Sequence, residues 1–137
     1  MALICDTGPL LAALDAADPD YERCALLLTQ ADEDLVVPAL VLAELDYWCA
    51  RRLAPVAWLI FLDDLLAGVY RLESPTVSDL ARCRELQTRY ADLALGVVDA
   101  SVMALAERLG EPKVVTLDQR HFRAVRPAHV DTLDLRP

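Results

Sequence analysis

Short, continuous apolar runs alternate with longer segments of helical character along this chain, and this alternation constrains its fold most strongly. Three runs are clear candidates for strands: Ala2–Cys5, Leu35–Val37 and Lys113–Thr116. Runs that are apolar at nearly every position, instead of every second one, are typical of parallel strands covered on both faces by helices. The sequence therefore predicts an α/β fold with a short, mainly parallel central sheet.

Proline and glycine positions together with apolar periodicity predict the elements between these strands. The predicted helices open at Gly8-Pro9, cover Tyr21–Gln30, run from Pro38 to about Arg52, cover Pro55–Leu66, run from Ser74-Pro75-Thr76 to about Tyr90, and extend from Gly96 to Leu109-Gly110. Further strands are expected near Val69–Leu72 and Val130–Leu135, with a short turn or helix at Asp118–Phe122. With 137 residues and no linker-like or repetitive stretch, residues 1–137 are expected to form one domain.

Apolar residues make up 55% of the chain, but the longest apolar run, Val56–Leu62, is far shorter than the roughly 20 residues that span a bilayer. The N-terminus shows no secretory signal, so we expect a cytoplasmic protein without membrane contact. The four cysteines form no CxxC pair and are expected to be buried, reduced thiols. Spare apolar surface around Tyr47-Trp48 and Val56–Leu62 is expected to support a homodimer.

Two acidic residues follow predicted strands. Asp6 comes directly after the first strand, and Asp118 lies two residues beyond Thr116. Ligands of open parallel sheets bind beyond the carboxyl ends of the strands. We therefore expect Asp6 and Asp118 to belong to one site.

Two further acids project from apolar faces of predicted helices. The residues at helical spacing from Glu44 are Leu40, Val41, Tyr47 and Trp48, and those around Asp99 are Leu95, Gly96, Val102 and Met103. A carboxylate on a buried face is costly unless it is paired or bound to a metal, and no Lys or Arg lies within helical reach of either residue. Glu44 and Asp99 are therefore predicted to join the same site.

Four converging carboxylates repel one another, and a divalent cation relieves that repulsion. Oxygen ligands favour Mg²⁺ or Mn²⁺ over Zn²⁺, and such a site suits metal-assisted hydrolysis of a phosphodiester bond. The net charge of −9 argues against general affinity for nucleic acid. The site carboxylates count toward that charge, however, and all the cationic side chains except Lys113 are arginines, which suit phosphate contacts.

Other candidates have weaker support. Asp92 would share a face with Asp99 if one helix held both, and it is either a further ligand or a helix-start residue. Thr7 and Thr116 either hydrogen-bond water at the metal or cap helices. A basic cluster that is either a phosphate-binding edge or a solvated polar segment follows Asp118: Arg120, His121, Arg123 and Arg126.

Four stretches of the sequence resemble the PIN-domain family, and specifically the VapC toxins of bacterial VapBC toxin–antitoxin pairs. These stretches are ICDTGPLLAALDAADPDY, VVPALVLAELDYW, YADLALGVVDASVMALAERLG and VVTLDQRHFRAVRP. The resemblance implies an α/β/α sandwich, a Mg²⁺- or Mn²⁺-dependent endoribonuclease, a cognate antitoxin and frequent homodimers. It implies that Asp6 and Asp99 are the principal metal ligands, that Glu44 and Asp118 complete an acidic quartet, and that Asp92 matches a further acid of many members.

The alternatives are an inactive binding module and two kinds of domain that carry a phosphoryl group on an aspartate. A catalytically inactive PIN-like binding module would bind metal without cleaving RNA, although an intact acidic set argues against it. A phosphoacceptor domain needs a lysine beyond a later strand, whereas the only lysine, Lys113, precedes its strand. A haloacid-type phosphatase needs Asp-x-Asp at the first strand, and position 8 is glycine.

Overall fold

The computed structural model describes residues 1–137 and contains one five-stranded sheet in which every neighbouring pair is parallel. The strands are β1 (Ala2–Cys5), β2 (Asp34–Pro38), β3 (Arg71–Glu73), β4 (Lys113–Val115) and β5 (Asp134–Arg136), in the spatial order β3-β2-β1-β4-β5. The helices are α1 (Thr7–Ala12), α2 (Tyr21–Gln30), α3 (Ala39–Arg52), α4 (Pro55–Leu66), α5 (Val77–Arg89), α6 (Val97–Leu109) and α7 (Gln119–Ala124), with a 3₁₀ helix at Ala91–Leu93.

The central strand is β1, and it lies between strands from the two halves of the chain. Ile4 pairs with Val36 of β2 on one side and with Val114 of β4 on the other, and all three are fully buried. The strand order reverses at β1, because β2 and β3 extend to one side and β4 and β5 to the other. In α/β sheets such a reversal opens a crevice at the carboxyl ends of the two strands that flank it. The fold therefore places a binding crevice just beyond Cys5 and Val115.

Helix α6 is the most deeply buried helix, with every residue from Ala100 to Ala106 inside the core. Two ion pairs support its packing against the neighbouring helix α5: Arg82 bonds Glu107, with Nε 2.8 Å from Oε2, and Arg108 Nε lies 2.9 Å from Asp79 Oδ2. Asp79 also completes a capping box with Thr76 at the start of α5. Asp79 is therefore a buried acid that holds the fold together.

Most predicted elements are present, and the differences are local. The bounds of α2 and α4 are those predicted, whereas the third strand is Arg71–Glu73 instead of Val69–Leu72. The shift arises because Gly68 has a positive φ of 84° and the Val69 N–H bonds Asp64 O, so that Val69 closes helix α4. The last strand is shorter than predicted and ends one residue later, at Asp134–Arg136 instead of Val130–Leu135.

The predicted fold class is confirmed, and two expectations about composition can be compared with the structure. All four cysteines are free and buried, as expected from their spacing. None of the helices combines the length and the apolarity that a bilayer crossing requires. Exposed apolar side chains include Tyr47 on α3 and Val56, Leu59 and Ile60 on α4.

Candidate active site

A cleft of about 630 Å³ opens at the carboxyl ends of β1 and β4, where the reversal of strand order predicts a crevice. Its lining residues are Asp6, Thr7, Gly8, Leu11, Glu44, Trp48, Arg52, Asp99, Leu117 and Asp118. The four acids singled out from the sequence therefore meet in one cleft, although 112 positions separate the first from the last. Strand ends supply Asp6 and Asp118, and helices α3 and α6 supply Glu44 and Asp99.

Asp6 is the most buried of these acids, with 5% of its surface exposed. Its Oδ2 accepts a hydrogen bond of 2.8 Å from Thr116 Oγ1, while its Oδ1 is buried without any hydrogen-bond partner. Burial raises the pKa of Asp6 to about 7, and the nearby charge of Asp99 adds to the increase, while the hydrogen bond from Thr116 acts in the opposite direction. Asp6 Oδ1 thus has no hydrogen-bond partner of good geometry, although the nearby Thr7 backbone also lowers the pKa of Asp6.

Asp99, Asp118 and His121 form a compact group, whose potential ligand atoms all lie within 4.8 Å of one another. The Nδ1 of His121 lies 2.8 Å from Asp118 Oδ2 and 3.1 Å from Asp99 Oδ2. Burial raises the pKa of Asp99 and the charge of Asp118 raises it further, while His121 opposes both effects. The imidazole therefore holds two carboxylates close together that would otherwise repel each other.

Thr116 connects the two strand-end acids. Its Oγ1 donates to Asp6 Oδ2 and accepts a hydrogen bond of 3.0 Å from the Asp118 N–H. Asp118 in turn accepts from the His121 N–H and caps helix α7. Thr7 follows Asp6 into the cleft, and its buried Oγ1 has no hydrogen-bond partner. Thr116 therefore fixes the positions of Asp6 and Asp118, whereas the Thr7 hydroxyl is free.

Glu44 enters the cleft from helix α3, and its negative charge contributes to the raised pKa values of both Asp6 and Asp99. Trp48 and Arg52 follow it at intervals of four residues and line the same cleft. Residues four apart lie one above another on a helix. One face of α3 therefore presents an acid, an aromatic ring and a cation along the cleft wall.

The donor set of this cleft fits a divalent cation. Four carboxylates line it, and Arg52 is the only Lys or Arg among the lining residues. The buried Asp6 Oδ1 has no partner, and a buried carboxylate oxygen is costly unless it is bound. Carboxylate oxygens are ligands of Mg²⁺ and Mn²⁺. Asp6, Asp99, Asp118 and Glu44 are the residues that would hold such an ion, and His121 Nδ1 is close enough to contribute.

Three weaker candidates from the sequence lie outside the cleft. Asp92 is exposed in the 3₁₀ helix, and the chain turns through Ala94, with a positive φ of 51°, before α6 begins. The continuous helix that would have aligned Asp92 with Asp99 therefore does not exist. Arg120 and Arg123 are exposed on α7, and Arg123 bonds Gln119.

His121 is the site residue that sequence reasoning failed to single out. The sequence placed it only in a basic cluster, because a lone histidine beside three arginines carries no distinctive signal. The useful signal is its spacing from Asp118: an acid that caps a helix has the third residue of that helix beside it. That spacing brings the imidazole back over the Asp118 carboxylate.

Comparison with known proteins identifies the family of this chain. The PIN domain matches the chain over residues 3–127, a range that contains all four acids. The chain belongs to the PIN domain family. Ribonuclease VapC26 of Mycobacterium tuberculosis is 37% identical over 125 residues, which cover 91% of this chain and 93% of that protein. The resemblance stated from the sequence is therefore confirmed at the level of the family.

Solved structures share the fold at lower identity. VapC20 of Mycobacterium tuberculosis, a sarcin-ricin loop cleaving toxin, superimposes with a TM-score of 0.83 at 21% identity, covering 98% of this chain and 99% of that one. FitAcB of Neisseria gonorrhoeae gives a TM-score of 0.70 at 20% identity, with 98% and 97% covered. VapBC2 of Rickettsia felis, bound to a DNA fragment from its promoter, gives 0.71 at 18% identity, with 100% of both chains covered. These likenesses establish the PIN-type α/β/α fold.

Proposed function

We propose that this protein is a Mg²⁺- or Mn²⁺-dependent endoribonuclease, formed by residues 1–137 as one domain, and the toxin of a VapBC-type pair. The observation that carries the proposal is the buried Asp6 carboxylate, which meets Asp99 in one cleft without a cation to pair it. Such an arrangement costs stability in a merely structural role. The 37% identity to a ribonuclease over nearly the whole chain supports RNA as the substrate class.

In the proposed mechanism each side chain has a distinct role. Asp6, Asp99 and Asp118 would bind the cation, and Glu44 would complete the acidic set. Thr116 keeps the Asp6 carboxylate in place through the hydrogen bond of 2.8 Å, and His121 holds Asp99 and Asp118 at ligand distance from each other. When bound there, Mg²⁺ or Mn²⁺ would lower the pKa of a water molecule and would neutralise charge at the scissile phosphate. No lysine lines the cleft, and the Nδ1 of His121 is already engaged by the carboxylates of Asp99 and Asp118, so a cleft carboxylate would receive the proton of the attacking water.

The proposed partners are RNA, a cognate antitoxin and a second copy of the chain. Exposed apolar side chains on α3 and α4, including Tyr47, Val56, Leu59 and Ile60, support a protein partner because such patches mark interaction surfaces. VapBC assemblies are among the solved structures that share the fold. A protein with this activity and these partners would act in the cytoplasm.

The test is cleavage of total RNA by the purified chain in Mn²⁺ and in excess chelator, with Asp99→Asn beside Asp46→Asn. Both substitutions remove one negative charge, but Asp46 is exposed on α3 and does not line the cleft. We expect Asp46→Asn to cleave like the unsubstituted chain and Asp99→Asn to be inactive. Binding of Mn²⁺ without cleavage by the unsubstituted chain would instead support the inactive binding module.

A further inference from the structure

Trp48 and Arg52 form a stacked pair on the wall of the acidic cleft. The Arg52 guanidinium carbon lies 4.4 Å from the centroid of the Trp48 ring, and both residues line the cleft together with Glu44. Trp48 is partly buried against the core, whereas Arg52, the last residue of α3, is exposed. The ring therefore covers one face of the guanidinium, and the exposed Arg52 side chain makes no hydrogen bond or ion pair within the protein.

The charge of the protein shows why this pair matters for RNA binding. The net charge is −9, and Arg52 is the only cationic residue that lines the cleft. Affinity for nucleic acid normally depends on many phosphate contacts from Lys and Arg, and inside the cleft Arg52 is the only residue that can provide one. Binding inside the cleft therefore depends on the metal site and on contacts that do not require many cations, such as base stacking.

We propose that the Trp48–Arg52 pair is a nucleobase-stacking site for a nucleotide next to the scissile phosphate. An unstacked base packs on the open face of the guanidinium, and the N–H edge contacts the phosphate of the same nucleotide. Single-stranded RNA is recognised in this way, on aromatic rings and on arginine planes, whereas a duplex keeps its bases stacked. This inference rests on the proposed endoribonuclease function.

The same helix provides a matched control. Arg51 lies over Tyr47 at the same distance of 4.4 Å, one residue earlier on α3, but neither residue lines the cleft. A stacked arginine at a helix end is therefore not by itself a sign of RNA binding. The Trp48–Arg52 pair differs from it by lying beside the acids of the cleft. Substitutions of Arg51 therefore make the same changes of charge as those of Arg52 at a position outside the cleft.

The experiment measures binding of a fluorescein-labelled single-stranded oligouridylate by anisotropy in Ca²⁺, with the oligonucleotide shown to be intact afterwards. Its duplex with oligoadenylate is measured in parallel. Arg52→Lys keeps the charge but loses the planar stacking surface, and Arg52→Gln loses both. We expect Arg52→Lys to weaken single-strand binding by about 5- to 100-fold, the range that loss of one stacked base produces. We expect Arg51→Lys and Arg51→Gln to bind like the unsubstituted chain.

Salt dependence separates the phosphate contact from stacking. Loss of one phosphate contact to a single strand reduces the slope of log K against log salt by about 0.7. Arg52→Gln should show this reduction and Arg52→Lys should not. Because the pair prefers unpaired bases, the unsubstituted chain should bind the single strand more tightly than the duplex, and Arg52→Lys should narrow that difference.

Three other outcomes are informative. If the unsubstituted chain cleaves RNA but the Arg52 variants bind like their Arg51 counterparts, the stacking site is refuted and the proposed function stands. If Arg52→Lys binds the single strand as tightly as the unsubstituted chain while Arg52→Gln binds more weakly, Arg52 contacts phosphate only and stacking is again refuted. If the unsubstituted chain neither binds nor cleaves RNA, both the proposed function and the stacking site are refuted.

Discussion

Two buried aspartates of this protein should respond in opposite ways to the loss of their charge. Asp6 and Asp79 are equally buried, each with 5% of its surface exposed. Asp79 pairs with Arg108 at 2.9 Å and completes the capping box of α5. Asp6 has no cationic partner, and its Oδ1 has no partner at all. In chelator, Asp6→Asn should therefore stabilise the protein at alkaline pH, whereas Asp79→Asn should destabilise it.

The magnitude for Asp6 follows from its raised pKa. The pKa rises from 3.8 to about 7 in the fold, a difference of 7 − 3.8, or about 3 units, and each unit corresponds to about 1.4 kcal/mol. The folded chain keeps the proton between these two pKa values while the unfolded chain has released it, so stability is highest below about pH 4 and falls until about pH 7. Above about pH 7, the ionised Asp6 lowers the free energy of unfolding by the full amount of about 4 kcal/mol.

The assay is thermal unfolding in chelator at pH 5 and pH 8. About two pH units separate pH 5 from the Asp6 pKa of about 7. Asp6 alone should therefore lower the free energy of unfolding of the unsubstituted chain by about 3 kcal/mol between pH 5 and pH 8. This corresponds to about 10 °C in Tm for a chain of this size. Asp6→Asn should lose most of that dependence. At pH 8 it should be more stable by about 1–3 kcal/mol, because an amide without a partner offsets part of the relief.

Asp79→Asn is the opposite case. Breaking a buried ion pair costs about 3–5 kcal/mol, and the partial exposure of Arg108, whose side chain is 31% accessible, reduces the expected loss to about 1–3 kcal/mol. The loss of stability caused by Asp79→Asn should be similar in chelator and in Mn²⁺.

If Asp6→Asn instead melts well below the unsubstituted chain at pH 8 in chelator, with the same pH dependence, Asp6 is a structural residue and the site assignment is wrong.

Further predictions concern the metal, the outlying acid and the oligomer. Mn²⁺ at about 100 times its dissociation constant should stabilise the unsubstituted chain by about 2.7 kcal/mol, and Asp99→Asn should blunt this in thermal melts. Titration calorimetry should show that His121→Ala weakens binding of both Mn²⁺ and Mg²⁺, because His121 Nδ1 lies 2.8 Å from Asp118 Oδ2 and 3.1 Å from Asp99 Oδ2 and holds the two carboxylates together; unchanged binding would exclude this role. Asp92→Asn should cleave RNA at the unsubstituted rate, since Asp92 is exposed outside the cleft. Light scattering should show a dimer at tens of micromolar, and a monomer without dye-binding apolar surface would contradict the proposed partners.

Much of the fold could be predicted because its central strands are buried on both faces. Ile4, Val36 and Val114 lie in runs that are apolar at nearly every position, and this pattern identifies a covered parallel sheet without further information. The third strand was misplaced because Val69 and Tyr70 are apolar, while the turn at Gly68 delays pairing to Arg71. The pattern of apolar residues does not reveal a local turn of this kind.

Site residues could be predicted from the sequence where a charged side chain lies on a helix face that is otherwise apolar. Glu44 and Asp99 stand out because helical spacing surrounds them with apolar residues, and the structure places both in the cleft. The contributions of His121 and of the Trp48–Arg52 pair depend on how separate segments meet in three dimensions. Asp92 would share a face with Asp99 only in one continuous helix, and the turn at Ala94, which the sequence pattern does not reveal, interrupts that helix.

The chemistry of the RNA ends tests the central claim most directly. The cleft holds four carboxylates and has no lysine and no histidine other than His121 beside it, so water, not the ribose 2′-hydroxyl, should attack the phosphorus. RNA cleaved by the purified chain in Mn²⁺ should carry 5′-phosphate and 3′-hydroxyl ends, and excess chelator should abolish cleavage. Products that end in 2′,3′-cyclic phosphate, or cleavage that persists undiminished in chelator, would contradict a metal-dependent hydrolysis at Asp6, Glu44, Asp99 and Asp118.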